Sequence, residues 1–162
     1  MNGRILVVGM ALFALLFGLA LWWFQTRGYY ETVTGVTSVT IAGVSVPVTG
    51  YEGIDADTSP LKMRGCFHAE AAEAIEGPEA TEPEPLVAPG WFSCFDAERI
   101  EADIDAGAAR AVLAEFNQPY GFDRIVAAYP DGRAFQWRRI NKCGAASFEG
   151  DPPPDGCPPK DD

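Results

Sequence analysis

The sequence predicts one membrane-spanning helix followed by a small disulfide-bonded α+β domain, an antiparallel sheet carrying one or two helices. Three observations in its 162 residues predict this. Ile5 to Phe24 is an uncharged apolar run of twenty residues, and Cys66, Cys94, Cys143 and Cys157 all lie beyond it. Further on, two alternating runs, Phe122 to Tyr129 and Arg133 to Ile140, flank the turn sequence Pro130-Asp131-Gly132.

A helix rises about 1.5 Å per residue, so the apolar run reaches about 30 Å, the thickness of a bilayer's hydrocarbon core. A secretory signal has a shorter apolar stretch, about 7–15 residues, and ends in small side chains where the peptidase cuts. Here Leu21-Trp22-Trp23-Phe24-Gln25-Thr26-Arg27 puts bulky rings at that place, so the segment is expected to remain as an anchor. Trp22, Trp23, Arg27, Tyr29 and Tyr30 mark the membrane–water boundary, where amphipathic rings and cations settle. Arg4 and Arg27 nearly cancel in the positive-inside count, and the cysteines decide the orientation, because disulfides persist in oxidising compartments. The expected order is a cytoplasmic N-terminus (1–4), a transmembrane helix (5–24) in the inner (plasma) membrane, and a membrane-proximal segment (25–32). A periplasmic domain (33–150) and a proline-rich tail (151–162) follow.

With Arg4 and Arg27 set aside, ten basic residues face all 23 acidic ones, a formal charge of −13 beyond the anchor. Such a field repels phosphate backbones, which argues against a nucleic-acid partner.

Within the domain, Val33 to Val48 is rich in Val and Thr and predicts a hairpin turning near Ala42-Gly43, with Pro47 confining it to a sheet edge. Asp55 to Pro60 reads as a turn cluster and Leu61 to Phe67 as a strand. Ala69 to Glu76 has helical propensity, but Ile75 is the one large apolar side chain it has to bury. Prolines and like charges in residues 77–86 predict an exposed loop. Asp96 is placed to cap a helix over Ala97 to Ala106, with Ile100 and Ile104 on one face and Gly107 as its stop. Arg110 to Phe116 predicts a strand, followed by the Pro130-Asp131-Gly132 hairpin. In its second strand Phe135 and Trp137 share a face, and Ala134, Gln136 and Arg138 take the other. The tail is expected to fray beyond Cys157.

Four cysteines allow three pairings. Neighbour pairing, Cys66 with Cys94 and Cys143 with Cys157, is preferred, because it ties down the acidic loop and the proline tail. Closing these loops contributes about 3–3.5 kcal/mol each in the chain-entropy model. Zinc sites use closely spaced Cys or His pairs, and no two of these cysteines lie within four residues of each other.

The motifs that carry chemistry are missing or incomplete. His68, the sole histidine, would have to serve any Ser-His or Cys-His catalysis. Asp55-Ala56-Asp57-Thr58 matches the aspartyl nucleophile motif of haloacid dehalogenase-type phosphatases, but no apolar strand precedes it and no partner motif follows. As a calcium loop it fails at Pro60, where the pattern needs Gly. Haem-attachment and phosphate-loop motifs are absent. The expectation is no catalytic residue, no cofactor and no metal.

What remains are surfaces. Ala11, Ala14 and Gly18 form a small-residue face on the anchor that lets another helix approach closely. Trp91, Phe92, Trp137 and Arg138 are of the types enriched at protein–protein hot spots, although core packing is the expectation for Trp91, Phe95 and Trp137.

Several segments carry a resemblance. They are Asp55-Ala56-Asp57-Thr58-Ser59-Pro60, Cys66-Phe67, Ala88-Pro89-Gly90-Trp91-Phe92, Cys94-Phe95-Asp96, Tyr120-Gly121-Phe122-Asp123-Arg124, Asp131-Gly132-Arg133, Ile140-Asn141-Lys142-Cys143-Gly144 and Gly156-Cys157-Pro158-Pro159. Their order resembles an uncharacterised family of alphaproteobacterial single-pass membrane proteins. Some members carry a histidine kinase label, which would require an ATP-binding domain with Gly-rich and Asn-bearing motifs, and this chain has neither. The resemblance implies a setting and no mechanism. The expected role is a non-enzymatic, membrane-anchored accessory protein that stabilises a membrane or periplasmic partner. The alternatives are a ligand-binding or sensing domain, or a small enzyme using Asp55 and Asp57. A cleft of about 300 Å³ with converging polar groups would favour the ligand-binding alternative.

Overall fold

The computed structural model describes residues 3–160. The expectations for residues 1–4 and for the end of the tail therefore fall partly outside the described residues. Helix α1 (Gly3–Trp23) continues into a π-helical turn, Phe24–Gly28, and buries none of its side chains within the protein. The whole apolar helix, Gly3–Gly28, is long enough to cross a bilayer. After Tyr30 a separate compact unit begins at Glu31.

This second unit is built on antiparallel strands β1 (Glu31–Thr34), β2 (Ser38–Ile41), β3 (Val44–Asp55), β4 (Arg64–Ala69), β5 (Arg110–Glu115), β6 (Phe122–Ala128) and β7 (Arg133–Ile140). Two helices, α2 (Ala97–Asp105) and α3 (Lys142–Glu149), complete it. The sheet runs β1-β3-β4-β7-β6-β5, with β2 paired to β3 alongside β1. Alternation of side chains decides which residues meet. One face buries Val46, Phe67, Ile75, Val112, Val126 and Ala134 in a common cluster. The sheet curls around this cluster until the β2–β3 hairpin reaches β5, where Ala42 N–H donates to the Ala114 carbonyl (2.8 Å). On the opposite face Trp137 is fully buried, and Phe95 meets both Trp137 and Phe135 edge-on with ring centroids 6.2 Å apart. Helix α2 covers this face with Ile100 buried, and its Asp96 side chain accepts from the Arg99 N–H as the expected cap.

The disulfides join Cys66 to Cys94 and Cys143 to Cys157, the neighbour pairing. Several expected boundaries change. The hairpin turns at Ala42-Gly43, both with positive φ, but β3 runs on to Asp55 and β1 forms a separate strand before a break at Gly35. Pro47 does not lie on an edge strand, because β3 is paired on both sides. It is tolerated because the β4 ladder ends at the Val48–Ala69 pair, one residue short of Pro47, which is paired with β2 alone. The predicted strand at residues 61–67 moves to Arg64–Ala69 behind a 3₁₀ turn at Pro60–Lys62. The predicted helix at 69–76 shrinks to a 3₁₀ turn at Ala72–Ala74, since Ile75 is drawn fully into the core and Gly77-Pro78 stop the chain from coiling. Residues 77–86 form neither helix nor strand, as their prolines require, but they do not float as a free loop. Residues 78–80 lie along the edge of β5, with Ala80 N–H donating to Ala111 (3.0 Å) and Leu113 N–H to Pro78 (2.8 Å). Helix α3 was not expected. Its signals were Asn141, whose side chain accepts from the Gly144 N–H (3.0 Å), and Gly150, which ends it in the left-handed region.

Tyr129 ties α2 to the sheet by donating to Asp103 Oδ2 (2.8 Å). Burial, reinforced by this hydrogen bond and the Asp103 charge, pushes its phenol up to about 12. An unfolded tyrosine ionises near pH 10, so between pH 10 and 12 the unfolded chain releases this proton while the folded one keeps it. The stabilising contribution of the neutral phenol is thus present below pH 10 and declines as pH rises towards 12. An ultraviolet absorbance titration should show one phenol ionising near pH 12, and this step should vanish in Tyr129→Phe.

Candidate functional site at one end of the sheet

Strand register gathers chemistry at the end of the sheet where β1 begins. Glu31 pairs with Asp55, Ile140 lies opposite Phe122, and Glu115 lies opposite Arg124. Arg64, the first residue of β4, lies opposite Ile54, so six strands start or stop there and their connections cluster around this end.

Inside the curled sheet is a chain of buried polar groups. Gln136 Nε2 donates to the Tyr51 hydroxyl (2.7 Å), and Arg124 Nη1 donates to Gln136 Oε1 (2.7 Å). Arg124 Nε pairs with Glu115 Oε2 (3.0 Å), while its Nη2 caps the Thr40 carbonyl on the outer edge of β2. Arg124 thus supplies the donor that a neighbouring strand would otherwise give β2, and closes the sheet where backbone pairing is incomplete. Burial raises the Tyr51 phenol, an effect the Gln136 hydrogen bond and the Arg124 charge only partly offset.

A second polar knot holds the start of α3. Asp123 Oδ1 accepts from Asn117 N–H (2.9 Å) and Asn141 Nδ2 (2.7 Å), and Asn117 Oδ1 accepts from Gly121 N–H (2.6 Å). Gly144 packs so closely on the backbone of Gly121 that an added Cβ would overlap the Gly121 carbonyl. Beside this knot, residues 79–81 roof a cleft of about 300 Å³ with Leu113, Ile125 and Phe116 on its apolar side and Asp123, Arg139 and Lys142 among its polar groups.

The same end exposes apolar side chains. Val87 is 78% and Phe148 72% exposed, with Phe116, Ile140 and Leu86 also exposed. Arg64 Nε donates to the Leu86 carbonyl (2.7 Å), fixing residues 86–87 beside the first residue of β4. Phe148 stacks edge-on against Phe122.

Of the interaction candidates read from the sequence, Trp137 and Phe92 are buried and Trp91 is half-buried. Trp137 packs in the core, the expectation already favoured for it, and Phe92 is corrected to a core residue, since Phe95 and the Cys66–Cys94 bridge fold this segment onto the sheet. Arg138 is half-buried and pairs with Asp55 Oδ2 (3.3 Å). That contact, with the Ala56 N–H donated to Asp55 Oδ1 (2.8 Å), gives Asp55 a structural role. Asp57 is exposed in the following turn. Ala11, Ala14 and Gly18 are exposed on α1, in the separate helical unit. No group of three His, Cys, Asp or Glu residues is placed to hold a metal ion among the described residues. Sequence reasoning missed Asp123, Arg139, Val87 and Phe148, whose common signal, convergence on one end, exists only after the strands are aligned.

Residues 33–158 match DUF6446, described as a family of unknown function. The chain belongs to DUF6446. The match begins within β1 and ends just beyond Cys157, so both disulfides, both polar networks and the apolar end lie inside the DUF6446 region. No curated protein and no solved structure matches the chain. The apolar helix and the disulfides fit a DUF6446 domain anchored at a membrane and facing an oxidising compartment.

Proposed function

We propose that this protein is a non-enzymatic, single-pass accessory protein of the inner membrane, with its N-terminus in the cytoplasm and its domain in the periplasm, where it binds and stabilises another envelope protein. The observation that carries this reading is the gathering of exposed Leu86, Val87, Phe116, Ile140 and Phe148 at one end of an otherwise strongly acidic domain. Exposed apolar side chains gathered on one part of a surface and rimmed by polar ones are a usual mark of a protein contact surface. The buried polar groups described above are engaged in closing the sheet and holding α3, which supports a structural rather than catalytic use for them.

Mild-detergent purification of the tagged full-length protein from native membranes, with quantitative mass spectrometry, tests this. A partner is expected at fixed stoichiometry and should be lost from the double variant Val87→Glu with Ile140→Glu. Loss with Ala14→Leu and Gly18→Leu instead would place the contact on the anchor. Recovery of the protein alone would overturn the accessory role. A second reading, a ligand-binding domain, is favoured by the cleft beneath residues 79–81.

A further inference from the structure

Asp123 on β6 and Arg139 on β7 are directly opposite each other, the spacing at which unlike charges ordinarily pair. No ion pair joins them among the described residues. Arg139 reaches outward to Glu82, giving Nη1 to its carbonyl and approaching its carboxylate (3.8 Å). Asp123 commits Oδ1 to Asn117 and Asn141, and Oδ2 makes no hydrogen bond among the described residues. Asp123 itself is nine-tenths buried, and both it and Arg139 line the 300 Å³ cleft whose apolar side is Leu113, Ile125 and Phe116.

Charge narrows what can enter. Two acids, Asp123 and Glu79, and two bases, Arg139 and Lys142, line the cleft, so a simple ion of either sign drawn to one pair meets the like charge of the other. A molecule carrying both signs a few ångströms apart satisfies both at once. The cleft lies at the small end of the range for ligand sites, about 300–1,000 Å³, which suits one compact molecule. We propose that this cleft binds an α-amino acid with an apolar side chain, its ammonium donating to Asp123 Oδ2, its carboxylate accepting from Arg139, and its side chain lying on Leu113, Ile125 and Phe116. This deepens the ligand-binding reading; the cleft shares Phe116 with the exposed apolar patch, and neither Val87 nor Ile140 lines it.

Isothermal titration of the full-length protein in detergent micelles with L-leucine tests it. Saturable one-to-one binding is expected. 3-Methylbutylamine, which lacks the carboxylate, and 4-methylpentanoate, which lacks the ammonium, should each bind at least about tenfold more weakly. Arg139→Gln should weaken leucine binding by a similar factor. Because Asp123 also supports the α3 knot, Thr81→Trp serves as the second variant: it fills the cleft from its exposed roof and should abolish binding while leaving the circular dichroism spectrum unchanged. Absence of leucine binding at millimolar concentration would overturn the proposal, as would equal binding of either analogue. Leucine binding without a copurified partner would leave this site standing and remove the accessory role, and the converse result would do the reverse.

Discussion

Trp137→Ala should destabilise the domain by about 3–5 kcal/mol, the range for truncating a large buried aromatic. Trp137 is fully buried on β7 and meets Phe95, which lies next to the Cys66–Cys94 bridge. Losing the indole opens a cavity between sheet and α2 that neighbours pinned by a disulfide cannot collapse to fill. The indole Nε1 is buried without a hydrogen-bond partner among the described residues, so Trp137→Phe removes volume and no polar bond. It should cost distinctly less than Trp137→Ala. Urea unfolding of the full-length protein in micelles, followed by near-ultraviolet circular dichroism, measures both. Equal costs for the two variants would show that the aromatic layer is not what holds α2 to the sheet.

Arg124→Ala should be comparably damaging, by about 3–5 kcal/mol, for an electrostatic reason. The Arg124 side chain is 8% exposed and serves Glu115, Gln136 and the Thr40 carbonyl together. Its removal leaves the partly exposed Glu115 carboxylate without its cation and two acceptors, Gln136 Oε1 and the Thr40 carbonyl, without their donor, and opens the seam between the β2–β3 hairpin and β5. Replacing both members of the pair, Arg124→Met with Glu115→Leu, should cost less than Arg124→Ala, because no charge is left without its partner. A cost for Arg124→Ala of about 0.5 kcal/mol or less, typical of surface changes, would mean that the Ala42–Ala114 hydrogen bond closes the sheet without help. The same unfolding measurement decides it.

These two residues illustrate how far the sequence could be read. Trp137 was expected in the core as a large aromatic, and alternation along β7 places it on one face with Phe135, Arg133 and Arg139. Arg124 carried no such signal, since nothing in Phe122 to Tyr129 indicates that a distant hairpin carbonyl at Thr40 needs a donor. Asp123 and Arg139 could each be placed on a strand, but their opposition depends on register, which is set by side-chain packing across the whole sheet.

By itself the sequence determined the apolar helix, the disulfide-bonded α+β class, the Pro130-Asp131-Gly132 hairpin and the α2 cap, because each depends on contiguous residues or on composition. The tertiary structure decided the reach of β3, the fate of residues 69–76, the docking of residues 77–86 along β5 and the helix at Lys142–Glu149. In each of these, local preference was weak, and burial of Ile75, pairing along an open strand edge or the hydrogen bond by which Asp123 holds Asn141 at the start of the helix tipped the balance. The candidate site belongs wholly to this second group, since its residues sit on separate strands and connections and converge only when six strands start or stop together.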